Sequence, residues 1–170
     1  MKNMQEQIRN FRLPHYEEIT DVGLYLDQTA RYLNSYLSGL GTDTEITTSM
    51  ISNYVKKRLL KNPQHKLYSR EQIALLFFIA LAKPIMSLEH VHTIARTYCE
   101  SSNVMSFYES FRGELFRTLF EVFSIPADED SSEETFSPDQ VLIRSVVTAI
   151  AHTIYMNLCF QYLACSEESP

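Results

Sequence analysis

Between Ile46 and Arg70 the chain carries Lys56, Lys57, Arg58, Lys61, Lys66 and Arg70 and no acidic residue. Ammonium and guanidinium groups clustered in this way neutralise phosphates, and the counterions released drive binding to a polyanion. Just ahead of them stand Thr48, Ser49, Ser52 and Asn53. Short polar side chains at a helix start can approach base edges, and hydroxyls with free backbone amides can hold phosphate oxygens. Lys56, Lys57 and Arg58 follow at the far end of the same segment, and Lys61, His65 and Lys66 lie in the loop beyond it. These ten residues form the candidate DNA-binding set. The competing explanation is a solvated surface helix whose lysines point into water.

Other chemistry finds little support. There is no glycine-rich phosphate loop, no G-x-S-x-G elbow and no H-E-x-x-H pair. His90 and His92 are two residues apart, which on a helix puts them on different faces. Cys99, Cys159 and Cys165 form an odd set with no C-x-x-C spacing, the pattern of a reducing compartment rather than a disulfide scaffold. No catalytic residue, metal site or cofactor is expected. The start MKNMQEQIRNFRLPHYEE has no apolar stretch of signal-peptide type, which points to the cytoplasm. The net charge of −6 does not oppose a nucleic-acid partner, because the basic segment leaves nine basic against all 21 acidic residues elsewhere.

The elements that must position these residues read as helices almost throughout. After an N-terminal arm with Pro14, a first helix is expected from Thr20 or Asp21, with Val22, Leu26, Ala30, Leu33 and Leu37 inward and Gly39 and Gly41 stopping it. A second runs from about Thr48 to Leu59, capped by Thr47 or Thr48, with Met50, Ile51, Tyr54 and Val55 inward. Asn62-Pro63 marks a loop or small wing. Ser69-Arg-Glu-Gln72 spells a capping box opening a third, central helix to about Ala82. Helices follow over 88–98, 104–123 and 138–163, the last two separated by the acidic stretch PADEDSSEETFSP. The last segment is long enough to span a bilayer, but Arg144, His152, Asn157 and Gln161 argue against a membrane and for a central helix or a dimer interface.

The order ITTSMISNYVKKRLL, a short loop, then LYSREQIALLFFIALAKPIMSLEHVHTI resembles the DNA-binding head of MerR-type transcription regulators. Tyr54, Leu59-Leu60, Tyr68-Ser69 and Ser87-Leu88-Glu89-His90-Val91 stand at the places of that family's pattern. With LPHYEEITDVGLYLDQTARYLNSYL ahead of it, the block is similar to a bacterial family of unknown function (YkrK-type) with a MerR-like helix-turn-helix. Arg58 departs from the pattern by standing where it usually has glycine. Leu67 precedes Tyr68 where the pattern has arginine, SGLGTDTEI exceeds a tight turn, and Asp43 and Glu45 would repel phosphate.

The resemblance implies an all-α fold: a MerR-like or winged helix-turn-helix unit extended by long C-terminal helices. Its expected parts are an arm over 1–19, the helix-turn-helix domain over 20–100, and a C-terminal helical region over 101–170 with the linker at 126–138. The expected function is a DNA-binding transcriptional regulator, a homodimer on double-stranded DNA, and not an enzyme. Two alternatives are a protein-interaction module that no longer binds DNA, and a ligand-responsive regulator. In the latter, Phe107, Phe111, Phe116, Phe120, Tyr155 and Phe160 would enclose a small apolar molecule.

Overall fold

The computed structural model describes residues 2–40, 45–101, 103–126 and 138–167. Gly41, Asp43, the interior of the acidic linker and its Ser137 cap lie outside the described residues, as does the side chain of Cys165. The described chain is mainly helical: α1 (Lys2–Asn10), α2 (Leu26–Leu37), α3 (Thr48–Lys56), α4 (Arg70–Ala82), α5 (Leu88–Ser101), α6 (Val104–Val122) and α7 (Pro138–Glu167). Two short strands, β1 (Leu24–Tyr25) and β2 (Leu67–Tyr68), pair antiparallel with Leu24 opposite Tyr68 and Tyr25 opposite Leu67.

Helix α4 is the centre. Its Ser69 hydroxyl accepts from the Gln72 N–H while the Gln72 side chain accepts from the Ser69 N–H, the reciprocal cap expected from the sequence. Beyond the cap, Ile73, Ala74 and every residue from Leu76 to Ala82 are buried, as a helix without a polar face requires. Phe78 meets Phe107 and Phe111 edge-on, with ring centroids 5.1 and 5.2 Å away. Helices α2, α5, α6 and α7 all pack against α4, and α6 and α7 run along each other. Burying each such phenylalanine contributes about 1.5–3 kcal/mol.

The N-terminal arm differs from expectation. Residues 2–10 are helical, and Ile8 and Leu13 are fully buried. The Tyr108 hydroxyl donates to the Pro14 carbonyl at 2.8 Å and Arg112 Nε to the Leu13 carbonyl at 3.0 Å, laying the arm on α6. Met4, Ile8 and Phe11 share the core through helical spacing that the polar residues between them mask.

The first expected helix also starts later, at Leu26, because the chain is first used as strand β1. Val22, expected inward, is 77% exposed. Gly23 permits the change: its φ is +76°, and a Cβ there would come within 3.1 Å of Leu67 Cβ and 3.2 Å of the Tyr68 carbonyl oxygen. Helix α3 ends at Lys56 rather than near Leu59, because Arg58 turns into the left-handed region.

Candidate nucleic-acid interface

Helix α3 is held at its start from two sides. Asn34 of α2 donates to the Ile46 carbonyl at 2.9 Å and accepts from the Ile46 N–H at 2.8 Å. Lys83, just past α4, donates to the Glu45 carbonyl at 3.2 Å. Thr47 then caps the helix, its hydroxyl accepting from the Met50 N–H at 3.2 Å. Turning about 100° per residue, the helix separates two arcs. Thr48, Ser49, Ser52, Asn53 and Lys56 span one arc of about 140°, while buried Ile51 and Tyr54 and half-buried Met50 and Val55 occupy the other. Thr48, Ser49, Asn53 and Lys56 are exposed and Ser52 is half-buried.

The helix closes in a Schellman turn. The Leu59 N–H donates to the Tyr54 carbonyl at 2.9 Å and the Arg58 N–H to the Val55 carbonyl at 3.0 Å, with Arg58 at φ +59°. Glycine usually fills that position, since a left-handed L-residue costs about 1–2 kcal/mol. The absent glycine noted in the sequence is thus a side chain held in glycine's conformation.

The loop after α3 carries the same feature. Leu67 N–H donates to the Gln64 carbonyl at 2.8 Å across a two-residue hairpin turn, with His65 at φ +49° and Lys66 at φ +66°. Left-handed geometry at both central residues is what a type I′ hairpin needs, and Asn-Gly is its preferred filling. The hairpin leads into β2, which pairs with β1, so the turn is anchored to the start of α2. Buried Gln72 fixes its other end by donating to the Lys61 carbonyl at 2.7 Å.

Lys56, Lys57, Arg58, Lys61, His65 and Lys66 are all exposed. Among the described residues none of the five lysines and arginines of this group sits in an ion pair. Arg70, the sixth cation of the basic segment, is spent differently. Its Nε donates to the Ile19 carbonyl at 2.7 Å, it pairs with Glu17 at 2.8 Å, and it lies over the Tyr16 ring at 5.6 Å. Other arginines are likewise paired: Arg12 with Glu18, Arg31 with Asp27, and Arg117 with Glu114 and Glu121. The structure therefore separates cations that hold the fold together from cations that face solvent between residues 56 and 66.

The aromatic residues considered for a ligand cavity are mostly core. Phe107 and Phe111 are buried, Phe116 and Phe120 pack partly buried against the core, and Tyr155 meets Phe123 edge-on at 5.1 Å. Phe160 points outward, 66% exposed. Sequence reasoning missed β1, the strain at Arg58, His65 and Lys66, and a cleft beside the basic loop lined by Arg58, Leu60, Lys61, Leu75, Ala95 and Cys99. Glycine at the Arg58 place in the resemblance was the one available signal for the strain.

The family described as Domain of unknown function (DUF1836) matches residues 14–111, more than half of the chain. The chain belongs to this family. The match encloses all ten candidate DNA-binding residues and both strands, and ends inside α6; α7 lies beyond it. No curated protein and no solved structure matches the chain.

Proposed function

We propose that this DUF1836 member is a DNA-binding transcriptional regulator with a MerR-like helix-turn-helix. The polar arc of α3 enters the major groove, and Lys57, Arg58 and the 61–66 loop hold flanking phosphates. One observation carries the reading: five cations with no ion pair among the described residues stand between residues 56 and 66, and three non-glycine residues there are held left-handed. Left-handed backbone at such residues costs stability wherever it occurs, and such strain concentrates at binding sites. Arg58, His65 and Lys66 all present side chains suited to phosphate. A generic DNA duplex titrated at low and moderate salt tests the reading. Binding weakens as salt rises, and the Lys56→Gln/Lys57→Gln/Lys66→Gln variant binds at least about tenfold more weakly. Binding absent at both salts, or unaffected by the three substitutions, removes the proposal.

The homodimer belongs to the same proposal and is supported by α7. This helix contains a stretch, Gln140–Ala164, long and apolar enough to cross a bilayer, with one face packed on α6. Its outward stripe is Leu142, Ser145, Ala149, His152, Met156, Phe160 and Leu163, all exposed. The stripe steps by three and four residues, the pattern of a helix–helix seam, and holds no Asp, Glu, Lys or Arg. Two copies paired antiparallel about His152 set Leu142 against the partner's Leu163, Ser145 against the partner's Phe160, and Ala149 against the partner's Met156. Small then faces large at the two inner steps and leucine meets leucine at the ends, an arrangement that fills space between helices. A parallel pair would face Phe160 with its own copy and leave the small residues opposite each other. The net acidity of the chain favours the second reading, a protein-interaction module without DNA. A stoichiometric protein partner recovered with no nucleic acid would support it.

A further inference from the structure

A cleft of about 400 Å³ opens between the loop after α3, helices α4 and α5, and the start of α6. Its size is that of a site for a small molecule. The floor is apolar, formed by Leu60, Leu75, Ala95 and Val104. Cys99 lies half-buried beside them, and burial pushes its thiol above the ordinary range, so it stays a neutral S–H and extends the apolar surface. The rim is cationic: Arg58 and Lys61, neither of them ion-paired among the described residues, line it together with Glu71, His92 and Arg96. Gln72 is tied to the frame there, its Nε2 donating to the Lys61 carbonyl and its Oε1 accepting from the Ser69 N–H.

A neighbouring cleft of about 460 Å³ carries less. It sets Asp21 and Glu71 against Lys61 and Arg70, and Arg70 is committed to Ile19 and Glu17. Its charges cancel and select no ligand class.

We propose that the cleft beside Arg58 binds a small amphipathic anion, a carboxylate on an apolar body, and that its occupation weakens DNA binding. The apolar floor takes the body and the cationic rim takes the carboxylate. Arg58 and Lys61 belong both to this rim and to the phosphate-binding set, and neither charge serves both anions at once. Ligand and DNA therefore lower each other's affinity by the same factor. The second half of the proposal rests on the DNA-binding reading; the cleft itself does not. With two cations withdrawn, the slope of log Kobs against log salt for DNA becomes shallower by about 1.8.

Calorimetric titration of the full chain with sodium octanoate, 1-octanol and octylammonium chloride tests the cleft. Octanoate binds one per chain, octanol at least about tenfold more weakly and octylammonium not at all, consistent with a charge-assisted contact. In a Cys159→Ser/Cys165→Ser background, octanoate also slows alkylation of Cys99 by iodoacetamide. Ala95→Phe, which fills the floor, abolishes octanoate binding. Should that variant fail to fold, Val104→Phe, which narrows the same floor, lowers octanoate affinity and leaves DNA affinity unchanged. Equal binding of octanol, or alkylation of Cys99 unaffected by saturating octanoate, overturns the site. Octanoate bound at Cys99 with DNA affinity unchanged overturns the competition. Octanoate bound at Cys99 in a protein that binds no DNA upholds the cleft and overturns the regulator reading instead.

Discussion

Replacing Arg58 with glycine separates the two consequences of having a side chain at that position. The backbone there is left-handed, φ +59°, inside the turn that closes α3. An L-residue in that region costs about 1–2 kcal/mol, which glycine does not incur. Glycine also loosens the unfolded chain, which offsets about 0.5–1 kcal/mol of the gain. The Arg58→Gly variant is therefore more stable by about 0.5–1 kcal/mol, or about 1–4 °C in Tm for a chain of this size. The adjacent Lys57 provides the control. Its backbone is not left-handed, φ −82° and ψ 5°, so Lys57→Gly destabilises by about 0.5–1 kcal/mol. Each substitution removes one exposed cation, and each makes the salt slope of DNA binding shallower by about 0.9. Urea denaturation and fluorescence anisotropy on a labelled duplex measure the two effects separately. An Arg58→Gly protein no more stable than Lys57→Gly would refute the strain argument. One that gains stability and keeps the full salt slope would refute the role given to the guanidinium.

The hairpin tip behaves in the same way. His65→Asn/Lys66→Gly installs the preferred type I′ pair and raises stability by up to about 1 kcal/mol while lowering DNA affinity, read by the same two assays. For α7, a spin label at Leu163→Cys in a cysteine-free background gives a pair distance of about 33 Å in the antiparallel dimer, from a rise of 1.5 Å per residue and a helix separation near 10 Å. A label at His152→Cys gives about 10 Å; equal short distances at both sites contradict the register, and a monomer contradicts the dimer. Glu18 accepts the His15 N–H and pairs with Arg12, and those contacts hold its carboxyl below the ordinary range. A depressed carboxylate stabilises the fold above its unfolded pKa and loses that contribution as pH falls through the folded value. Glu18→Gln is accordingly less stable at neutral pH and shows a flatter loss of stability on acidification, followed by urea denaturation across the carboxylate range.

Much of the helical frame is written locally. The Ser69–Gln72 box and the Thr47 cap are side chains bonding to amides three residues away, so spacing alone reveals them. The uninterrupted apolar run after Gln72 marks α4 as central for the same reason. What the sequence hides is long-range or conformational. Strands β1 and β2 are two residues each, too short for a period, and their partners lie far apart in the chain. Gly23 marks the place, but its reason, the approach of Leu67 and Tyr68, exists only once the chain has folded. His65 and Lys66 carry no sequence mark of left-handed backbone, and Arg58 only the glycine that the resemblance has at its place, because that conformation is imposed by the turn they close. The ten candidate DNA-binding residues were chosen from type and order; the distinction between them and Arg70 required seeing which cations already had partners.

The most direct measurement is the dependence of duplex affinity on salt for the wild-type chain and for Lys56→Gln/Lys57→Gln/Lys66→Gln. Five solvent-facing cations on phosphate give a slope of log Kobs against log salt near −4.5 per chain, and two give about −1.8. A steep wild-type slope that falls by about 2.7 in the triple variant is the predicted result. A flat wild-type slope, or the same slope in both proteins, contradicts the account.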